Sequence, residues 1–377
     1  MKKVLLIGIA GVYNYGCEAI IRGTVELFRK NSPDYQLFYA SINVEDDKKR
    51  LEGCDIEIIK RTIKKWTIKN ILRKAFGAFG IRIKYCYDSV SILKEIDEVY
   101  SIGGDIYTLD SNNNYSASLP LFGEKCISKG VNYYLWGCSV GPFTKNKSAE
   151  LFFKNHLKKV TKIYAREIET VNYLKSIGIE SNVELMVDPA FYVAPEIRKK
   201  YQSASIKRIG INLSPLSSKY VYSTIDEAIQ AQSQTIKELI DFYNCEILLV
   251  PHVWSKHIDD NDFHYLQSIY NYFPEAYQSK IRLISNDPGF LGVKRELINC
   301  DVVLAARMHC AINAAAANVL VIFLSYSSKA KGMSQYVYDT TNFVIGLEDF
   351  QIDIIKEKIS ALYSFCNDKE NFSPLCK

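Results

Sequence analysis

The chain has 377 residues, 48% hydrophobic and 24% charged, a composition that excludes intrinsic disorder, collagen and a disulfide miniprotein. At roughly 150 residues per domain this length predicts two to three domains. Lys and Arg number 47 against 42 Asp and Glu, and the resulting +5 is too mild to argue for nucleic acid.

Residues 4–9 form an apolar run that breaks at Gly11 and Asn14. A secretory leader would end its apolar region in a small-residue cleavage site, so the run reads as a buried first strand. An amphipathic helix follows over 17–30, then extended stretches at 35–42, 97–102, 131–136 and 162–165, with helix-length segments among them. Such alternation predicts a parallel sheet flanked by helices. Asp188-Pro189-Ala190-Phe191, Pro195 and the polar run 198–207 read as a linker. Strand patterns then restart at 208–213 and recur at 246–250, 282–284, 301–305 and 319–324. The expected fold is therefore α/β, two Rossmann-like doubly wound domains facing a cleft, over residues 1–190 and 206–377. Ligands of such sheets bind beyond the carboxyl ends of the strands.

No stretch approaches the roughly 20 apolar residues of a membrane span. The ten cysteines are scattered with no C-x-x-C pair, which suits free thiols in a reducing cytosol and no metal framework. The 26 tyrosines fit the codon bias of an AT-rich genome as well as sugar-facing platforms. One segment, 60–87, holds nine basic residues and no acidic one: Lys60, Arg61, Lys64, Lys65, Lys69, Arg73, Lys74, Arg82 and Lys84. Interleaved with Trp66, Ile68, Ile71, Leu72, Phe76 and Phe79, they suit a helix lying on an anionic membrane surface. A solvated helix with lysines reaching outward is the alternative.

The loops after the strands carry the candidate chemistry. Gly8 to Glu18 joins the first strand to the first helix, where free N–H groups favour an anion, although a tight turn explains its glycines equally well. Gly103-Gly104-Asp105 allows close approach to the backbone, and Asp105 either binds a sugar hydroxyl or caps a helix. Arg166 leaves the strand at 162–165 and is either a ligand group or half of a surface ion pair. The sharpest signal is Arg307-Met308-His309 after the strand at 301–305. Arg offers a planar fork to carboxylate or phosphate, His titrates near neutrality, and the next helix starts beside them. Together they suit a small dianion that is protonated during reaction, the alternative being a helix-capping His with an ion-paired Arg. Tyr326 and Lys329 end the next strand and offer further donors. His252 and His257 lie on a loop without metal-site spacing, which reads as acceptor-facing or as plain surface.

The series Asn14-x-Gly16, Gly103-Gly104-Asp105, Ala165-Arg166-Glu167, Asp188-Pro189-Ala190-Phe191, Arg307-x-His309 and Tyr326-x-x-Lys329 resembles the polysaccharide pyruvyl transferase family from residue 4 to about 335. The chain departs from many members at Cys17-Glu18, where they have Asp, and at Asp105, where they have a third Gly. The resemblance implies a GT-B-like fold and transfer of the pyruvyl group of phosphoenolpyruvate to a sugar as a ketal. It further implies that Arg307 and His309 are catalytic against that donor on the 206–377 side. The acceptor side would be residues 1–190, and Asn14, Gly16, Gly103, Gly104, Asp105, Arg166, His252, Tyr326 and Lys329 would bind substrate. Phosphoenolpyruvate would be co-substrate and no other cofactor or metal is expected. A lipid-linked sugar acceptor on the cytoplasmic face of the membrane is the expected partner. The rival expectations are a GT-B nucleotide-sugar glycosyltransferase and a non-catalytic, membrane-associated scaffold of glycan assembly.

Overall fold

The computed structural model describes residues 1–63, 84–193, 205–326 and 329–368. The chain divides into two compact units, Met1–Val12 with Ile20–Pro189, and Tyr13–Ala19 with Ala190–Lys377. Residues 13–19 thus group with the second unit although they lie early in the sequence. The cause is local pairing: Asn14 bridges to Val253, the Tyr15 N–H donates to the His252 carbonyl, and the Trp254 N–H donates to the Tyr13 carbonyl.

The first unit is built on β1 (Lys3–Ile7), β2 (Gln36–Ser41), β3 (Glu57–Ile63), β4 (Asp88–Val90), β5 (Glu98–Ile102), β6 (Asn132–Cys138), β7 (Lys162–Ala165) and β8 (Val183–Leu185). Their order is β4-β3-β2-β1-β5-β6-β7-β8, and only the β3–β4 pair is antiparallel. Lys3–Ile7 is buried almost throughout, as the continuous apolar run of a strand covered on both faces. The chain leaves β1 toward β2 on one side and returns to β5 on the other, so the β1/β5 junction is a topological switch point.

The second unit has β9 (Arg208–Asn212), β10 (Glu246–Leu249), β11 (Ile281–Leu283), β12 (Val302–Ala305), β13 (Leu320–Ser325) and β14 (Val344–Gly346). All pairs are parallel in the order β11-β10-β9-β12-β13-β14, which puts its switch point at β9/β12. There Ala305 lies opposite Asn212. The long helix Ile225–Tyr243 shows why these crossovers are well bounded. Thr224 accepts the Glu227 N–H at 3.1 Å at its start, and Asn244 ends it in the left-handed region at φ 49°.

One expectation needs correction. Lys60 and Arg61 belong to strand β3, not to a surface helix, because Ile58, Ile59, Thr62 and Ile63 favour extended backbone. Arg61 is turned inward onto Asp88 at 2.7 Å. Most of the basic segment, residues 64–83, lies outside the described residues, so its membrane-helix reading does too. The chain passes from one unit to the other between Pro189 and Ala190, inside the stretch read as a linker, and there Asp188 and Ala190 are buried and Pro189–Tyr192 is a turn of 3-10 helix. Strands β3, β4, β8 and β14 gave no clear signal, being short, exposed or rich in polar residues. Among the described residues no helix is long and apolar enough to cross a membrane.

Candidate active site

At the β9/β12 switch point the second unit holds Arg307, two residues beyond β12 and at the N-cap of the helix Met308–Ala316. Its backbone N–H donates to Asn212 Oδ1 at 2.8 Å, and the Asn212 amide donates to the Val250 carbonyl at 2.8 Å. The end of β9 therefore fixes where Arg307 leaves β12. The guanidinium is held as firmly. Nε and Nη2 donate to Asp262 Oδ1 at 3.2 and 2.8 Å, and Nη2 donates to Asp260 at 2.6 Å. Burial opposes the charge on Arg307, but Asp262 and then Asp260 outweigh it and keep the guanidinium protonated. Burial pushes the Asp262 carboxyl above its usual range, against the pull of Arg307. Two carboxylates thus orient the fork through its Nε and Nη2.

His309 sits in the first turn of the following helix, packed on the first turn of the helix Tyr15–Asn31. A Cβ on Gly16 would come within 2.4 Å of His309 Nδ1 and 2.6 Å of Cγ, so only glycine admits the imidazole. Asn14 shapes the same turn, its Oδ1 accepting the Gly16 N–H at 2.9 Å. Two helix N-termini converge on His309, and both add partial positive charge there. The N-terminus of a third helix, Gly289–Leu297, is satisfied by protein. Buried Glu18 accepts the Phe290 N–H at 3.0 Å, and the Tyr15 hydroxyl accepts the Gly289 N–H at 3.2 Å while bonding Asp287. Glu18, whose role the sequence left open, is thereby a helix cap.

His252 is buried, not on a surface loop, because its ring packs edge-on against Tyr15 and Phe290 with centroids 5.5 and 5.9 Å away. Burial, then the neighbouring His309 and Arg307, hold its pKa well below the ordinary imidazole value. Its Nε2 and the Asn313 Oδ1, one turn after His309, are buried without a hydrogen-bond partner among the described residues. Tyr326 stacks on Tyr220 at 5.3 Å. The Lys329 side chain lies outside the described residues.

A separate group forms in the first unit. Arg166 follows β7 with its side chain 2% exposed, donating to Ser139 Oγ at 3.1 and 3.0 Å, to Asp188 at 3.1 Å and to Asp105 at 3.3 Å. Gly104 makes room for it, since a Cβ there would lie 2.9 Å from both terminal nitrogens. Here Asp105 is the exposed member, its side chain 51% accessible. Gly103 precedes this contact with φ 129°.

The structure therefore gathers Asn14, Gly16, His252, Arg307 and His309 in the second unit, and Gly103, Gly104, Asp105 and Arg166 in the first. Asp262, Asn212 and Tyr15 carried no signal in the sequence, while Glu18 stood out without a role and Asp260 only as half of the acidic pair Asp259-Asp260 beside His257. Among the described residues no group of three or more His, Cys, Asp or Glu is placed to hold a metal ion.

Solved structures share the architecture at low identity. The UDP-GlcNAc 2-epimerase from Methanocaldococcus jannaschii aligns with TM-score 0.57 and 14% identity, covering 100% of this chain and 96% of that one. The S. aureus MnaA–UDP co-structure aligns with TM-score 0.59 and 13% identity, covering 100% and 93%. Anabaena Alr3699/HepE in complex with UDP and glucose aligns at 0.55 and 10%, covering 100% and 93%. At such identities the likeness shows the fold alone: α/β with two Rossmann-like domains of the GT-B class. No curated protein matches the sequence significantly. The sequence profile of the polysaccharide pyruvyl transferase family, however, matches residues 14–328, a span containing both the Asn14-x-Gly16 turn and the Arg307-x-His309 strand end, and the chain belongs to that family.

Proposed function

We propose that the chain transfers the pyruvyl group of phosphoenolpyruvate to two hydroxyls of one sugar in a polysaccharide precursor, forming a ketal. The observation that carries this reading is the placement of His309 between two helix N-termini beside the carboxylate-oriented Arg307. That combination suits a small dianion that must accept a proton. Arg307 and the N-terminus of the helix Met308–Ala316 hold the donor's carboxylate and phosphate. His309 delivers a proton to the methylene carbon, leaving an oxocarbenium-like centre at the neighbouring carbon. The first sugar hydroxyl attacks that centre and its proton returns to His309. Phosphate then leaves, the second hydroxyl closes the ketal, and the second hydroxyl proton departs with the phosphate. One enol phosphate and two hydroxyls become one ketal and inorganic phosphate, with no change of oxidation state and no redox cofactor. Asn14 and Gly16 position His309, and His252 supports it as a neutral neighbour. Lys329 is a further candidate donor to the phosphate.

The acceptor is proposed to be lipid-linked and met at the inner face of the cytoplasmic membrane, the support being the acid-free basic composition of 60–87. Donor identity is tested by thermal shift with phosphoenolpyruvate and with UDP-sugars. Phosphoenolpyruvate is expected to stabilise the wild type and not Arg307→Ala, with UDP-sugars giving no shift. Stabilisation by UDP-sugars alone would replace this reading with a glycosyltransferase. Stabilisation by neither, together with salt-sensitive binding to anionic vesicles, would replace it with a scaffold.

A further inference from the structure

The two carboxylates on Arg307 are anchored very differently. Asp262 opens the helix Asp262–Tyr272 with its side chain fully buried. Its Oδ1 accepts from Arg307 Nε and Nη2 at 3.2 and 2.8 Å, and its Oδ2 accepts the His252 N–H at 3.1 Å and the Asn212 amide at 3.5 Å. Bonded on both oxygens, it is a fixed part of the frame. Asp260 ends the single 3-10 turn Ile258–Asp260 with its side chain 40% exposed. Among the described residues its carboxylate makes one hydrogen bond, with Arg307 Nη2 at 2.6 Å. The adjacent Asp259 faces outward, 81% exposed and paired with Lys219 at 2.7 Å. One member of the acidic pair is therefore turned onto a guanidinium that already has a buried partner.

The edges of the guanidinium show what Asp260 does there. Arg grips a carboxylate or phosphate with paired N–H groups along one of two edges, Nε with the nearer terminal nitrogen, or the two terminal nitrogens together. Asp262 takes the first edge. Nη2 has two N–H groups, and the one not given to Asp262 belongs to the second edge, where Asp260 sits. An anion gripped bidentately by Arg307 must take the place of Asp260. The displaced group is a half-exposed carboxylate with one bond, which water readily solvates, since ion pairs of this kind contribute little.

We infer that Asp260 is a stand-in for the donor anion: its carboxylate holds the terminal edge of the Arg307 guanidinium until the donor's carboxylate or phosphate replaces it, and it returns as product phosphate leaves. Arg307 thus keeps a partner throughout, and donor affinity is set by an exchange of anions. The identity of the anion as phosphoenolpyruvate rests on the proposed pyruvyl transfer; the exchange at Arg307 does not.

Isothermal titration of the full chain with phosphoenolpyruvate and with inorganic phosphate tests the exchange, comparing the wild type with Asp260→Asn and Asp259→Asn. Asp260→Asn is expected to fold, because Asp262 still pairs the guanidinium, and to bind both anions about fivefold more tightly, about 1 kcal/mol. Asp259→Asn removes the same charge one residue away and is expected to bind them like the wild type. Equal or weaker binding of both anions by Asp260→Asn would overturn the inference while leaving phosphoenolpyruvate as donor. Equal tightening by Asp259→Asn would overturn it too, by reducing the effect to general charge. Binding of neither anion by any of the three proteins would overturn it together with the donor reading. Tightened phosphate without any binding of phosphoenolpyruvate would sink the donor reading alone and leave the exchange standing.

Discussion

Gly16 owes its identity to one neighbour, the His309 imidazole, whose Nδ1 lies 2.4 Å from where a Cβ would stand. An alanine there cannot be accommodated by a small shift, because the obstruction is a ring and not the end of a flexible chain. Gly16→Ala is expected to displace His309 and to cost about 1–3 kcal/mol as an overpacking substitution. Phosphate release from phosphoenolpyruvate should fall far more than thermal stability does. Full turnover by a folded Gly16→Ala protein would show that the position of His309 is not critical. Arg307 and Arg166 illustrate different uses of one side chain. Arg307 is oriented by Asp260 and Asp262 at the end of β12, whereas Arg166 is enclosed by Ser139, Asp188 and Asp105. Breaking either buried pair from one side typically costs about 3–5 kcal/mol, since the surviving charge is stranded.

Among the elements, the helix Lys147–Leu157 shows how a core can carry a titratable group without using it. Asn146 caps it, accepting the Ala149 N–H at 3.0 Å, and its last turn buries His156 against Tyr107 and Tyr133. Burial is the main cause that lowers the His156 pKa to about 3, with Lys159 adding to it. The unfolded chain binds this proton near the ordinary imidazole value of about 6.5, so His156 favours the folded state above that pH. Its contribution is lost as pH falls from about 6.5 toward 3, at about 1.4 kcal/mol per pH unit. His156→Phe, which keeps a ring in the stack, should therefore gain stability relative to wild type by that amount for each unit of acidification. Urea denaturation of both proteins at pH 7 and pH 5 measures it, and a difference between them that is the same at both pH values would contradict the argument. A related economy holds at Glu18, which spends a buried carboxylate on the N-terminus of Gly289–Leu297. The N-terminus of Tyr15–Asn31 is likewise satisfied within the protein, its first N–H groups donating to the His252 carbonyl and to Asn14.

Across the molecule, what was legible in the sequence was whatever is written locally. The apolar runs announced β1, β5, β7, β9, β12 and β13, and Arg307-x-His309 stood out because a buried strand delivers both to its carboxyl end. What could not be read depends on pairings between distant positions. Asp262 holds Arg307 across 45 residues, Asn212 fixes its backbone across 95, and Glu18 caps Phe290 across 272. The grouping of residues 13–19 with the second unit has the same origin. The tyrosine excess gains a partial physical account. Tyr100 and Tyr134 stack at 4.5 Å, Trp136 packs on Tyr164 at 4.9 Å, and Tyr107 and Tyr133 share a buried hydrogen bond, so many of these rings are structural in the first unit.

The central claim is the chemical outcome, a pyruvate ketal made with His309. Proton NMR of the surface polysaccharide from native cells carrying either the wild-type chain or His309→Ala tests it most directly. The expected result is a ketal methyl singlet in the wild-type glycan that is absent with His309→Ala. No ketal in the wild-type glycan, or an undiminished singlet with the variant, would contradict the account.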